Sequence, residues 1–196
     1  MTNPIDNVVV SGSTPRVTAT YIRGAGAAGA YAAGDIIANS ETAASVVPIT
    51  FNVARNVKGG SGRITGLQCV ISAASGTVVL PAFDLLGFMP ATNIPFAAGS
   101  YPADNDVWNI TAAQYNQLLF CFSFSSGNWR TQAGAYNTAA GTVLWQPATV
   151  LGRPFAPFNT SALQLQYVRC LMQAQNAWNP GAVANTFQFT MDVDQD

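Results

Sequence analysis

The chain has 196 residues, a hydrophobic fraction of 49%, a charged fraction of 9% and a formal net charge of −1, which predict one folded domain with a sizeable core and exclude a disordered chain. It contains no histidine, one lysine and one glutamate, which excludes Ser-His-Asp and Cys-His relays and histidine-ligated metal sites. Its eight basic residues are scattered along the sequence, so we do not expect the phosphate-neutralising surface of a nucleic-acid-binding protein.

The N-terminal residues 1–20 show little helical periodicity. They contain the apolar run Val8–Val10, followed by Ser11–Pro15, a turn-forming segment. We predict an N-terminal arm or first edge strand over residues 1–20 and a single β-sandwich domain over 21–196. The start of the chain lacks the basic and apolar regions of a secretion signal, and no apolar stretch approaches the roughly 18 residues of a membrane span. We therefore expect synthesis in a cytoplasm and no membrane partner.

Residues 24–29 fit the dinucleotide-binding pattern GxGxxG formally. In that fold the pattern opens a helix whose N-terminus holds the phosphates, and an acidic residue follows roughly 20 positions later. Here Gly34 ends any helix after about one turn, and the acidic residue is missing. The segment is predicted to be a loop of small residues, and no cofactor is expected.

From Asp35 onward, short apolar runs alternate with turns, which is typical of strands. The predicted strands cover residues 45–57, 63–72, 77–88, 118–124, 141–151, a stretch that begins at 161, and 185–193. In the last of these, Phe187, Phe189, Met191 and Val193 share one face, which should be buried. The absence of alternating helices and strands predicts an all-β fold, a jelly-roll-like β-sandwich with one short helix and the N-terminal arm.

Two further segments connect the predicted strands. Met89–Asp106 is long and rich in Pro, Asn, Gly and Ala, and its length suggests either a function or a crossover between sheets. After it, Thr111 and Gln114 have the spacing of a capping box, which predicts the one short helix, ending at about Gln117.

Asp104-Asn-Asp106 resembles the first half of a calcium-binding loop. The glycine at the sixth position and the glutamate at the twelfth position of that loop are absent. Asp104 and Asp106 are therefore weak calcium candidates, and no metal is predicted. The alternative interpretation is a turn, in which Asp and Asn are common.

Aromatic residues in or beside loops are the candidate partner contacts. Trp129 and Trp178 have Asn, Gly or Pro neighbours, and Phe155 and Phe158 lie in a proline-rich segment. If exposed, these side chains would serve as anchors in protein contacts or as stacking surfaces for carbohydrate. The alternative for each is core filling. We add Val8, Val9 and Val10 of the arm to this set of partner-contact candidates.

Several segments, taken in order, resemble the jelly-roll type of bacteriophage capsid decoration (cement) protein. They are Tyr31–Ile37, Phe51–Arg55 running into Lys58–Ile64, Leu85–Phe88, Asp104–Asp106 before Thr111, and Asp192–Asp194. Together they span about residues 31 to 196. The arm has no obvious counterpart in this resemblance.

The resemblance implies a structural virion protein. Such proteins assemble, often as homotrimers, on the outside of an expanded icosahedral head and tie major capsid subunits together. It implies the major capsid protein and further copies of the chain as partners, a location on the capsid surface after synthesis in the host cytoplasm, and neither catalytic residues nor cofactors. The alternative is a phage tail, head-fibre or carbohydrate-binding adsorption module anchored by Trp129 or Trp178. A carboxylate-based hydrolase is the least favoured class, because the chain has one glutamate and no histidine.

Overall fold

The computed structural model describes residues 16–23, 29–52, 62–73, 79–88, 101–116, 118–131, 143–146, 153–155, 167–181 and 184–195. The described residues form eleven strands, one α-helix and two 3-10 turns. The strands are β1 (Arg16–Arg23), β2 (Ile36–Ile37), β3 (Ile49–Asn52), β4 (Gly62–Ala73), β5 (Phe83–Phe88), β6 (Leu118–Phe124), β7 (Arg130–Thr131), β8 (Val143–Gln146), β9 (Arg153–Phe155), β10 (Tyr167–Ala174) and β11 (Asn185–Gln195). The helix is α1 (Ala112–Tyr115), and the 3-10 turns are Ala43–Ser45 and Ser126–Asn128.

The strands form two antiparallel sheets. The first sheet has six strands in the order β1-β11-β4-β8-β7, with β9 also paired to β4. The second has five strands in the order β2-β10-β5-β6, with β3 also paired to β10. The chain stays in one sheet from β2 to β3, from β5 to β6 and from β7 to β9, and it crosses to the other sheet at every other connection. This is the connectivity of a jelly roll. The predicted fold class is confirmed.

Apolar and polar residues alternate along β11 and β4, and this alternation decides which of their side chains are buried between the two sheets. Phe187, Phe189, Met191 and Val193 are fully buried, as predicted. Phe189 lies opposite Cys69 of β4, which is also buried. Each large apolar side chain buried in this way contributes roughly 1.5–3 kcal/mol relative to its exposed state.

The outer face of the second sheet is covered by a third layer. Leu86, Phe88 and Leu171 belong to a second buried cluster that also contains Tyr101 and Trp108. The rings of Phe88 and Trp108 meet edge to face, with centroids 5.9 Å apart. Residues 101–116 thus shield apolar side chains that the second sheet would otherwise expose to water.

Residues 101–106, the last part of the long connection before α1, belong to this third layer. β5 and β6 are hydrogen-bonded neighbours in one sheet, so the expectation of a crossover between sheets is wrong. The predicted helix is confirmed in place, although it is one turn long. Its capping box is complete, because the Thr111 side chain accepts from the Gln114 N–H and the Gln114 side chain accepts from the Thr111 N–H.

β1 begins at Arg16 and ends at Arg23, so the predicted boundary between residues 20 and 21 falls inside a strand. Ala19 and Tyr21 of this strand are buried against the core. Residues 16–20 therefore belong to the sandwich as its first edge strand. The earlier part of the predicted arm lies outside the described residues.

Gly87 of β5 lies directly under the ring of Phe120 on β6. A Cβ atom at this position would lie 2.3 Å from Phe120 Cε1 and 2.4 Å from Cζ. We predict that Gly87→Ala lowers the free energy of unfolding by about 1–3 kcal/mol, because the buried ring must move. Chemical denaturation measures this. Gly127→Ala is the matched control, since a Cβ there meets nothing within 4 Å, and it should change stability by no more than about 0.5 kcal/mol. Equal effects of the two substitutions would contradict this packing.

Candidate functional site

A buried polar cluster joins the end of β1 and the segment after it to a distant part of the chain. It consists of Arg23, Tyr31 and Asp104, whose exposed fractions are 0%, 1% and 5%. The Arg23 Nε–H donates to the Tyr31 hydroxyl over 2.7 Å. That hydroxyl donates to the Asp104 carboxylate, whose two oxygens lie 2.7 and 2.8 Å away. The Ala38 N–H donates to the same carboxylate over 2.6 Å. We call these three side chains the Arg–Tyr–Asp cluster.

Aromatic rings form one wall of this cluster. Trp178 stacks on Tyr31 with centroids 5.3 Å apart and an interplanar angle of 24°. The Arg23 guanidinium carbon lies 5.4 Å from the Tyr31 ring centroid and 5.9 Å from that of Trp178. These are cation–π distances, and a buried cation gains more from them than an exposed one. The backbones of Tyr31 and Trp178 also exchange hydrogen bonds of 2.8 and 3.1 Å.

Burial dominates the electrostatics of the cluster. Loss of hydration raises the pKa of the Asp104 carboxyl above its ordinary value of 3.8, although hydrogen bonds from Ala38 and Tyr31 and the charge of Arg23 act in the opposite direction. Burial also raises the pKa of Tyr31, and the bond to Asp104 adds to this, so the phenol stays protonated. The cluster therefore satisfies buried polar groups and supplies no activated nucleophile.

The two calcium candidates lie in different surroundings. The Asp104 carboxylate is buried and accepts three hydrogen-bond contacts. Asp106 is exposed, and one of its oxygens accepts from the Ala103 N–H over 3.3 Å. Between them, Asn105 has a φ of 65°, a left-handed conformation that Asn tolerates in turns. Within the described ranges, no group of three or more Cys, Asp or Glu side chains is placed to hold a metal ion. This arrangement favours the turn interpretation of the motif.

The two candidate tryptophans are buried, with exposed fractions of 9% for Trp129 and 3% for Trp178. Their burial agrees with the core-filling alternative and not with the interpretation as exposed anchors. The Trp129 indole N–H donates to the carbonyl of Pro81 over 2.7 Å, and that of Trp178 donates to the carbonyl of Val79 over 3.0 Å. The chain entering β5 thus provides the acceptors that allow both indoles to be buried.

The remaining partner-contact candidates stay predictions. Val8, Val9, Val10 and Phe158 lie outside the described residues. Phe155 is the last residue of β9, opposite Gly62 of β4.

Two further features of the described residues bear on reactivity, the end of the glycine-rich pattern and the three cysteines. Residues 29–35, which follow the glycine-rich pattern, contain no helix, so no phosphate-binding helix begins there. All three cysteines have free thiols; Cys69 and Cys170 are buried, and Cys121 is exposed. Burial raises the pKa of the Cys69 and Cys170 thiols. Partial loss of hydration at the sheet surface, together with the nearby charge of Asp84, raises the pKa of Cys121 to about 11. None of them is a thiolate nucleophile near neutral pH.

No protein-family model matches the chain, and no curated protein matches it. In the described ranges, none of the helices has the length and apolar character that a membrane span requires. Function must therefore be inferred from the fold, the composition and the surfaces of the chain itself.

Arg23 and Tyr31 were not predicted as site residues. The alternation along β1 could have indicated Arg23, because this residue lies on the same buried face as Ala19 and Tyr21. An arginine on a buried face needs hydrogen-bond or charge partners. Nothing in the local sequence indicates that the partner is Asp104, which lies 73 residues from Tyr31.

We predict that Asp104→Ala lowers the free energy of unfolding by about 3 kcal/mol, because it leaves two buried donors, the Tyr31 hydroxyl and the Ala38 N–H, without their acceptor. Thermal or chemical denaturation at pH 7 measures this. Asp106→Ala, two residues away and exposed, is the matched control and should cost at most about 1 kcal/mol. A loss at Asp104 no larger than that at Asp106 would mean that the cluster does not stabilise the fold.

The raised pKa of Asp104 also predicts a pH dependence. The folded protein holds this proton more firmly than the unfolded chain, so the proton-linked part of the stability from Asp104 is complete below pH 3.8 and is lost as the pH rises through the folded-state pKa. The hydrogen bonds that Asp104→Ala removes are a separate contribution and persist at pH 7. Asp104→Asn removes the titration with little change in shape. We expect the stability difference between wild type and Asp104→Asn, measured by denaturation at a series of pH values, to shrink as the pH rises. A difference that grows with pH would show that the charge of Arg23 outweighs burial.

Proposed function

We propose that the chain is a structural virion protein that binds the outside of a phage head and stabilises the lattice of the major capsid protein. In this proposal it acts as a homotrimer on the capsid surface and catalyses no reaction. The strand order carries the proposal: two facing antiparallel sheets, β1-β11-β4-β8-β7 and β2-β10-β5-β6, have the jelly-roll connectivity found in viral capsid and lectin domains. The sequence resemblance to capsid decoration proteins points to the capsid rather than the lectin role.

The composition supports a role in dense assemblies. A charged fraction of 9% and a net charge of −1 leave little electrostatic repulsion between neighbouring copies. On the outward face of β1 and β11, the exposed side chains of Thr18, Thr20, Ile22 and Gln188 carry no charge, and the charged residues Arg16, Asp192 and Asp194 lie together at one end of the two strands. Such a surface suits close packing against protein and gives no attraction for phosphate or anionic lipid.

The burial of Trp129 and Trp178 disfavours the alternative, an adsorption module that stacks carbohydrate on exposed indoles. Both rings belong to the core between the sheets. The exposed large aromatic side chain in the described ranges is Tyr115 of α1, with an exposed fraction of 65%.

Because β1 begins at Arg16, the role of the arm in attachment can be tested without cutting the strand. We predict that removal of residues 1–15 weakens binding to expanded heads at least about tenfold, as expected when a buried anchor of an interface is lost, and leaves the melting temperature unchanged, because β1 is intact. Co-sedimentation of the purified chain with undecorated heads measures binding.

Removal of residues 1–20 is the comparison variant. It deletes the paired residues Arg16–Thr20 of β1 and the buried Ala19, so it should also lower the melting temperature. If the chain without residues 1–15 decorates heads as well as the full chain, the arm has no role in attachment. If the full chain does not bind heads at all, the proposed function is wrong.

A further inference from the structure

The exposed edges of the two sheets differ in how they are protected against pairing with another strand. Natural edge strands are kept short, bulged or charged, because their free N–H and C=O groups accept a further strand. Among the described edge strands, β2 and β7 have two residues, β9 has three and β3 has four. β6 is longer, but its pairing with β5 shifts register between Gly87 and Phe88. These edges have the usual protection.

Among the described residues, β1 has none of these forms of protection along residues 17–22. Its eight residues all pair with β11 on one side, without a register shift, and no described strand pairs with its other side. Residues 17–22 carry no charge and contain no proline. Arg16 is engaged by Asp192 over 2.9 Å, and Arg23 is buried in the Arg–Tyr–Asp cluster. The two charges at the ends of β1 therefore do not block a strand from approaching its middle.

The side chains of β1 also favour strand pairing. Five of the residues from 17 to 22 are β-branched or aromatic, and such residues stabilise strands. They are Val17, Thr18, Thr20, Tyr21 and Ile22. Thr18 and Thr20 are exposed, and Ile22 has an exposed fraction of 55%. An added strand would bury apolar surface as well as backbone groups.

We propose that the free edge of β1 pairs with β1 of a second copy, antiparallel and across a two-fold axis, so that two first sheets become one continuous sheet. A second copy fits this edge because it presents the same uncharged residues 17–22, and the net charge of −1 gives little repulsion to oppose the approach. Identical strands paired antiparallel form an isologous contact that closes on itself.

This contact goes beyond the proposed function and does not depend on it. A two-fold contact at β1 uses a different symmetry from the three-fold contact of the proposed trimer, and both are compatible with one assembly. The pairing predicts where the outward side chains lie. Thr18, Thr20 and Ile22 of the two copies share one face, and residues directly opposite each other have Cβ atoms about 4.5–5.5 Å apart.

Cysteine crosslinking tests the proposed geometry in the full chain. Cys121 is exposed, so the background is Cys121→Ser. Thr18→Cys, Thr20→Cys and Ile22→Cys are introduced one at a time and treated with a short bismaleimide. We expect a covalent dimer from at least one of the three. Ala113→Cys, exposed on α1, is the matched control and should give none.

Sedimentation equilibrium tests the energetics. The double variant Thr18→Lys and Thr20→Lys places like charges on facing edges, and we expect its dimer dissociation constant to rise roughly tenfold or more. Its melting temperature should equal that of the wild type at concentrations where both chains are monomeric. Ala113→Lys should leave the dissociation constant unchanged. A wild-type chain that stays monomeric, or a dimer that neither crosslinks through β1 nor responds to the lysines, overturns the proposal. Binding to heads is measured separately, so its loss in the wild-type chain would count against the proposed function and not against this contact.

Discussion

Arg23 is a fully buried arginine at the end of the first strand, and the hydrogen bonds around it join parts of the chain that no single sheet connects. An unsatisfied charge at such a position would be far more costly than any one apolar contact is favourable. The Tyr31 hydroxyl links Arg23 to the Asp104 carboxylate. β1 of the first sheet is thereby tied to the layer that covers the second sheet, and Trp178 closes the cluster from one side.

The position of that third layer follows from this constraint together with apolar burial. The Asp104 N–H donates to the Ser40 carbonyl over 2.8 Å and the Asn105 N–H to that of Ile36 over 2.8 Å, so backbone bonds hold the segment beside β2. From there it covers Phe88 through Trp108. The outer face of the second sheet is covered in this way, whereas no described strand pairs with the outer side of β1 at the edge of the first sheet. In the described ranges, the covered face offers no unpaired strand, whereas β1 does. We therefore expect contacts with other protein chains on the β1 side.

The sequence predicted those features that depend on local periodicity. The alternation in β11 located the buried face at Phe187 and Phe189, and the capping box located α1 at Thr111. Features that depend on distant partners were not predictable. Trp178 is buried because the carbonyl of Val79, 99 residues away, accepts its N–H. Asp104 resembled a turn or calcium residue locally, and its acceptor role depends on Tyr31. Cys121 stands in an apolar run, Leu118–Phe122, yet it lies on the outward phase of β6 between Phe120 and Phe122.

A low-charge jelly roll with a closed face and an unprotected edge strand is well suited to a structural part of a larger shell. The most direct measurement is a cryo-EM map of the phage particle from the source of this chain, in which a 20.5 kDa β-sandwich can be recognised by its two sheets. The proposal predicts sandwich density repeated over the outside of the head, at three-fold or quasi-three-fold positions. Density confined to the tail or to one vertex, or a particle without this sandwich, would contradict a capsid-stabilising role.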